Sequence, residues 1–314
     1  MKPAARRALI AAGVAAAALL LLGFRWVRQR DQLPDPDFHP AVPRPAFAPG
    51  AGPRVVVDEA HRNFHRADGR YRPFAELLAR DGFRVASSGT AFDRASLRDA
   101  DVLVIVNAMG ARWPFLPGAG DPAFTDAECD AVRDWVRDGG SLLLVADHAP
   151  VGSASAGLAR RFGVEMGGGR TVDYLRGDSA TGNPSWVVYT PENGGLAAPA
   201  HPVIAGRDSA ERVRRVMSFL GQSLKGPPGS TTLLALSDSA VDLLAGGTQA
   251  SAAGRAQGVA LELGKGRVVV LGEAAMLTAQ VTGGGRLKFG MNHPGAEGNA
   301  QLALNVVRWL GRKT

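Results

Sequence analysis

Length, composition and charge exclude several classes of protein. The chain has 314 residues, of which 46% are hydrophobic, so it can bury a sizeable core and is not disordered. The net charge is +7, and +6 of it arises in the first 30 residues, which carry six basic residues and no acid; the rest holds 30 basic and 29 acidic residues. This distribution argues against a nucleic-acid partner. The single cysteine, Cys129, excludes an internal disulfide framework and a multi-cysteine metal site.

The N-terminus contains an apolar run over residues 8–24, without a charge, between Arg6-Arg7 and Arg25. Its length is at the short end for a spanning helix, and the flanking arginines extend it. A cleaved signal peptide is the main alternative, but bulky, basic residues follow the run where small ones are expected. The pattern therefore predicts an N-terminal membrane anchor at residues 1–30, a single-pass transmembrane helix, with the body outside the cytoplasm.

A proline-rich segment follows at residues 31–53. Its seven prolines favour an extended, semi-rigid conformation of the polyproline type. We expect it to be a linker that holds the body away from the membrane.

Four hydrophobic runs, at residues 55–61, 102–108, 142–148 and 268–274, each stop at a polar group. Continuous Val, Leu and Ile runs are typical of strands buried on both faces of a parallel sheet. Ligands bind beyond the carboxyl ends of such strands. The polar residues expected to converge at that edge are Asp58, Glu59, His61, Asn107, Asp147, His148 and Glu273.

The pattern between these runs predicts an α/β fold over residues 54–314. Residues 71–82 predict a helix and residues 83–87 a second strand, and Thr125 with Glu128 forms a capping box for another helix. Residues 164–255 are irregular and are interpreted as an insertion in the same domain. Regular strands and a terminal amphipathic helix follow, which indicates a doubly wound sheet.

Several segments together resemble the class I glutamine amidotransferase-like superfamily, and within it a bacterial, membrane-anchored family of unknown function. The segments are residues 58–83, 103–108, 124–150, 201–206, 272–280, 290–295 and 305–310. The resemblance implies a flavodoxin-like, doubly wound, mostly parallel sheet.

True amidotransferases place a cysteine nucleophile on the turn after a central strand. Here the turn at residues 146–150 reads Ala-Asp-His-Ala-Pro, and Cys129 lies on a predicted helix. Glutamine hydrolysis through a thiolate is therefore not expected.

The residues at the strand ends suit acid–base chemistry. Asp147 and His148 end the most hydrophobic run, and Glu273 ends another, so Asp147, His148 and Glu273 are the candidate catalytic residues. The alternative is structural: Asp147 would cap a helix beginning near Ser153, and Glu273 would cap the segment that follows it.

A divalent metal is also possible, through Asp58, His61 and His148, because mixed nitrogen and oxygen ligands bind such ions. The alternative is that the histidines only hydrogen-bond the loop above the sheet edge. The remaining candidates for ligand binding are Asp58, Glu59, His61, Asn63, His65, Asn107 and Asn292.

These features predict a domain that binds a small polar ligand, carbohydrate-like or amide-like, with metal-assisted hydrolysis as an extension. The opposing hypothesis is a noncatalytic scaffold or accessory subunit of a cell-envelope complex. The glycine runs at residues 167–169 and 283–285 do not join a strand to a helix as phosphate loops do, so no nucleotide cofactor is expected.

Overall fold

The computed structural model describes residues 32–283 and 285–312. The predicted anchor at residues 1–30 lies outside them. The helices are α1 (Arg72–Arg80), α2 (Asp126–Asp138), α3 (Val151–Arg160), α4 (Pro202–Ala205) and α5 (Asn299–Leu310), with 3-10 turns at Ala245–Gly247 and Ala275–Leu277. The strands are β1 (Leu33–Pro34), β2 (Arg54–Asp58), β3 (Arg84–Ser88), β4 (Val102–Val106), β5 (Ser141–Val145), β6 (Glu165–Met166), β7 (Arg170–Asp173), β8 (Gly177–Asp178), β9 (Asn183–Tyr189), β10 (Val216–Met217), β11 (Leu224–Lys225), β12 (Thr231–Ala235), β13 (Ala240–Leu243), β14 (Gln249–Ser251), β15 (Ala256–Leu263), β16 (Gly266–Leu271), β17 (Ala279–Thr282) and β18 (Leu287–Gly290). Within this part of the chain, no helix is long and apolar enough to span a bilayer.

The central sheet has nine strands in the order β3-β2-β4-β5-β16-β15-β11-β6, and β12 also pairs with β15. The first five strands in this order are parallel, and the strands beyond β16 are antiparallel. The four hydrophobic runs form β2, β4, β5 and β16, which are neighbours. The carboxyl ends of these strands therefore meet at one edge, as the sequence predicts.

Helices cover both faces of the parallel strands, which confirms the α/β class. The residues of β2 alternate between two hydrophobic cores, because successive side chains of a strand point to opposite faces. Val55 and Val57 pack with α1 and α5. Val56 packs with α2 and α3.

Local sequence signals explain where the helices begin. The Thr125 hydroxyl accepts a hydrogen bond from the Glu128 amide, and the Glu128 carboxylate accepts from the Thr125 amide, so the predicted capping box is present. Pro73 lies in the first turn of α1, where its missing N–H costs nothing. The helix predicted at residues 71–82 is thus observed two residues shorter at its C-terminal end.

The region predicted as an insertion, residues 164–255, supplies β6, β11 and β12 to the central sheet and also forms short antiparallel sheets beside it. One has the order β10-β9-β8 and another the order β14-β13-β7. A third small sheet, β1-β17-β18, joins the start of the described chain to the segment after β16. These small sheets lie at the carboxyl edge of the parallel strands, and some of their residues line the site described below.

The proline-rich segment does not stand away from the body. Leu33 pairs with Val281, the Arg44 guanidinium lies 2.7 Å from the Asp208 carboxylate, and the Ala46 amide donates to Asp81 at 2.7 Å. Residues 32–53 were expected to be a linker because proline favours extended backbone. In this segment only Leu33–Pro34 forms a strand, turns and bends follow it, and backbone amides and an arginine of the segment have partners on the domain.

Candidate functional site

Polar residues follow the parallel strands at their carboxyl ends and divide into two separate clusters. Asp147 and Glu273, after β5 and β16, lie in the first cluster with Asn107, which follows β4. Asp58, at the end of β2, lies in the second with His61. The sequence predicts that all these residues converge on one edge of the sheet; in the structure their side chains form two hydrogen-bonded clusters, and Asp58 and His61 bind each other.

Asp147 is held by four hydrogen bonds, one of which the Gln222 amide donates to its backbone carbonyl at 2.9 Å. Its carboxylate accepts from the Asn107 amide at 2.7 Å and from the Ala274 backbone at 2.6 Å, and its own backbone N–H donates to Asn107 at 2.9 Å. Asn107 has a φ of 46°, a left-handed conformation that asparagine tolerates better than most residues. Asp147 does not cap α3, which begins at Val151 without a side-chain cap.

Glu273 is almost completely buried, and its carboxylate accepts hydrogen bonds from the Ala275 and Met276 amides at 2.7 and 2.8 Å. Burial, followed by the negative charge of Asp147, raises the pKa of Glu273 to about 8, against the opposing effect of these bonds. Burial also raises the pKa of Asp147. Burial therefore favours the protonated form of both carboxyl groups, and with a pKa of about 8 Glu273 is mostly protonated at neutral pH. Glu273 also acts as the expected cap of the 3-10 turn after it.

His65 and Tyr71 complete this cluster. Burial, with a contribution from the charge of Arg70, lowers the pKa of His65 to about 3, so its ring is neutral. The Asn107 amide, which also binds Asp147, lies 3.0 Å from His65 Nδ1, so Nδ1 accepts and Nε2 carries the proton. The Tyr71 hydroxyl donates to the Ala274 carbonyl at 3.0 Å, which fixes the turn that holds Glu273.

A cavity of about 520 Å³ opens at this cluster, and we name it the carboxyl cavity. Its polar lining includes Asp147, Glu273, Asn107, His65 and His148. The His148 ring contacts the Ala149 carbonyl at 2.7 Å through Nδ1. The three residues predicted to be catalytic thus line one cavity.

An aromatic wall completes the carboxyl cavity, and the sequence did not predict it. It consists of Trp186, Phe219 and Phe289, with Arg170 at the rim. The Trp186 ring makes edge-to-face contacts with Phe219 and Phe289 at centroid distances of 5.3 and 5.5 Å. These residues come from the insertion and from β18, and a motif for them is absent from the sequence. The one sequence signal beside Trp186 is the run of strand-forming residues at 187–189, which indicates a strand there.

The second cluster is a closed network around His61. Its Nδ1 lies 2.9 Å from the Asp58 carboxylate and its Nε2 lies 2.9 Å from Glu128, while the Asn63 amide also donates to Asp58. The ring packs between Phe92 and another phenylalanine of the same core. Both ring nitrogens therefore have protein partners.

Charge explains the stability of this network. Burial lowers the pKa of His61, but the hydrogen bond and negative charge of Asp58, joined by those of Glu128, outweigh burial and raise it. Burial likewise opposes the ionised form of Glu128, but hydrogen bonds from Thr125, His61 and Phe92 bring its pKa down to about 2. The two carboxylates thus favour the charged form of His61, and the closed set of contacts fits the structural alternative for this histidine.

The predicted metal ligands are not brought together. Asp58 and His61 bind each other, whereas His148 lines the carboxyl cavity. Across residues 32–283 and 285–312, no group of three or more His, Cys, Asp or Glu side chains is arranged to hold a metal ion.

Two other residues predicted to bind a ligand instead hold segments of the chain in place. Glu59 accepts hydrogen bonds from the Ala67 amide and the Ser87 hydroxyl, so it fixes the loop after β2. Asn292 donates to the Asp35 carboxylate at 2.8 Å and attaches the start of the described chain to the body. Neither residue lines the carboxyl cavity.

Comparison with known proteins supports the fold. No family model matches the sequence, and a search of curated proteins finds no match. The mmIFT52 N-terminal domain is similar in structure, with a TM-score of 0.57 and 14% identity over 82% of this chain and 97% of that one. The likeness is one of fold.

Two further solved structures have lower scores. A ThuA-like protein from Bacteroides uniformis has a TM-score of 0.45 and 13% identity, covering 87% of this chain and 94% of its own. PurLQS from Thermotoga maritima has a TM-score of 0.44 and 12% identity, covering 82% of this chain and 99% of that chain. The turn after β5 carries no cysteine, and Cys129 is buried in α2.

Proposed function

We propose that the carboxyl cavity binds a small, uncharged polar ligand of the carbohydrate or amide class. The observation that carries the proposal is the meeting of an aromatic wall and a carboxyl pair, Asp147 and Glu273, in one cavity. Aromatic rings cover the apolar face of such a ligand, and carboxyl and amide groups bind its hydroxyl or amide groups. The volume of about 520 Å³ suits a ligand of one or two sugar units in size.

The charges in the cavity support an uncharged ligand. Burial favours the uncharged forms of Asp147, Glu273 and His65, while Arg170 in the lining carries a positive charge. Such a lining offers hydrogen-bond donors and acceptors without a strong preference for either sign of charge.

In the catalytic form of the proposal, Glu273, whose pKa is about 8, would donate a proton as the general acid and Asp147 would accept one as the general base. Hydrolysis, with or without a metal, is the catalytic form of the proposal, and His148 would be the third participant. A noncatalytic accessory subunit of a cell-envelope complex is the second candidate. It is favoured by the backbone amides that already bind both oxygens of Glu273 and one oxygen of Asp147.

The proposed setting is a membrane surface. The uncharged run at residues 8–24 would form an N-terminal anchor, with the body outside the cytoplasm. Flotation of the full chain with vesicles, compared with a chain that lacks residues 1–30, tests this anchor.

Thermal unfolding of the full chain with a panel of neutral sugars, acetylated amino sugars and simple amides tests ligand binding. A ligand that binds the folded state raises the melting temperature as its concentration rises. Trp186→Ala should abolish the rise. Trp135→Ala is the matched control, because Trp135 is also half-buried but lies at the opposite edge of the sheet. A rise that survives Trp186→Ala would place the ligand elsewhere, and a panel without any rise would contradict the proposal.

A further inference from the structure

The described chain begins at the mouth of the carboxyl cavity. Gln32 lines this cavity, and the next two residues form β1, which pairs with β17. Gln280 of β17 lines the same cavity. The N-terminal segment therefore joins the domain beside the proposed ligand site and not at the far edge of the sheet.

The connection to the apolar run is short. Only residues 25–31 separate Phe24, the last residue of that run, from Gln32. A fully extended chain spans at most about 3.6 Å per residue, so these eight steps cover no more than about 30 Å. The proline-rich segment adds nothing to this reach, because it packs on the domain from Leu33 onward.

Besides the apolar run, a second apolar feature lies at the opening of the carboxyl cavity. We name residues 112–116, with the sequence Arg-Trp-Pro-Phe-Leu, the aromatic loop. Trp113, Phe115 and Leu116 are 47%, 79% and 40% exposed, and the two rings stack with an interplanar angle of 8°. Pro114, between them, lines the carboxyl cavity together with Gln32. Single exposed apolar residues are ordinary, but three within four positions form a patch.

The charges around these features suit a lipid surface. Arg25, Arg28 and Arg30 lie in the short connection, which has no acid before Asp31, and Arg112 begins the aromatic loop. Arginine binds anionic headgroups, and tryptophan with other aromatic residues is enriched where a bilayer meets water.

We propose that the aromatic loop inserts into the interface of the bilayer that holds residues 8–24, so that the carboxyl cavity opens toward the lipid headgroups. This inference rests on the proposed anchor and is independent of the ligand. In this arrangement the ligand would reach the cavity along the membrane surface. The aromatic loop would be a second point of attachment to the membrane and would set the orientation of the domain.

A cysteine-labelling experiment tests the inference. The full chain carrying Leu116→Cys is labelled with an environment-sensitive fluorophore and reconstituted in phosphatidylcholine and phosphatidylglycerol vesicles that carry nitroxide groups on their acyl chains. Cys129 is buried, so unsubstituted protein reports any background labelling. Asp138→Cys is the matched control, because it is exposed at the end of α2, on the opposite edge of the sheet.

The expected result is several-fold stronger quenching at Leu116→Cys than at Asp138→Cys, and loss of that difference when Trp113 and Phe115 are replaced by serine. Equal quenching at the two positions in protein that floats with the vesicles would overturn the inference. Protein that does not float would overturn both the inference and the anchor. The thermal assay measures ligand binding independently of these quenching and flotation results. The proposal of membrane insertion can therefore fail without the proposal of ligand binding, and the reverse.

Discussion

Replacing Glu273 with glutamine should change how the stability of the protein depends on pH. Glutamine has the same shape but does not ionise, so the variant removes one titrating group from the core. It also places an NH2 group where one carboxylate oxygen accepts a backbone hydrogen bond. At pH 6 the variant should therefore be less stable than the natural protein, by about 1–3 kcal/mol, because a buried donor is left without a partner.

The sign of the pH effect follows from the raised pKa. An acid whose pKa rises on folding stabilises the folded state fully below the unfolded pKa, and this stabilisation is lost as the pH rises through the folded pKa. The rise from 4.5 to about 8 corresponds to about 5 kcal/mol in all, at about 1.4 kcal/mol for each pKa unit. Between pH 6 and pH 9 the natural protein should lose about 3 kcal/mol of this, since part is already lost at pH 6.

Urea unfolding of the full chain at several values between pH 6 and pH 9 measures this effect. The deficit of the Glu273→Gln variant should shrink steadily as the pH rises and reverse sign near the upper end. Glu165→Gln, at an exposed glutamate on β6, should follow the natural protein at every pH. Parallel curves for the natural protein and Glu273→Gln would refute the protonated state of Glu273.

Three further substitutions test other parts of the structure, each by urea unfolding. Arg308→Ala should cost about 3–5 kcal/mol, because it leaves the buried Asp81 carboxylate without its cation, whereas Glu211 keeps Arg44 and Arg207; a loss below about 1 kcal/mol would contradict that role. His61→Gln should be most destabilising below pH 6.5 and less so as the pH rises, since the raised pKa of His61 stabilises the fold only while the ring is charged; a constant deficit would argue against the ion pair. On α3, Gly152→Ala should cost about 1–3 kcal/mol, because its Cβ would lie 2.5 Å from Gln222 Nε2, whereas Gly157→Ala has open space and should be neutral or stabilising. Equal effects of the two alanines would contradict the packing at the helix start.

The parallel half of the fold was predictable because its signals are local. Each of the four runs is apolar up to the polar residues at its end, which is typical of a strand covered on both faces, and the capping box marks the start of α2 within four residues. The antiparallel half was not predictable, since β15 pairs with β11 and β12 of the irregular region as well as with β16, which follows it directly. Such pairings depend on tertiary contacts that hydrophobic periodicity does not report.

The candidate site was predictable only in part. Strand ends located Asp147 and Glu273 at the carboxyl edge, because parallel strands end together. The strand ends did not show that His61 binds both Asp58 and Glu128. That arrangement depends on a loop conformation and on a helix residue 67 positions after His61. The sequence did not predict the aromatic wall either, because its residues come together through contacts between segments that are far apart in the chain.

The central claim is that the carboxyl cavity binds a small polar ligand. Saturation-transfer difference NMR of the full chain with N-acetylglucosamine, which carries both hydroxyl groups and an amide, tests it most directly. The account predicts transfer from the protein to the sugar ring, lost in Trp186→Ala and retained in Trp135→Ala. Absence of transfer for this sugar and for a simple carboxamide, or transfer of equal strength in the two variants, would contradict it.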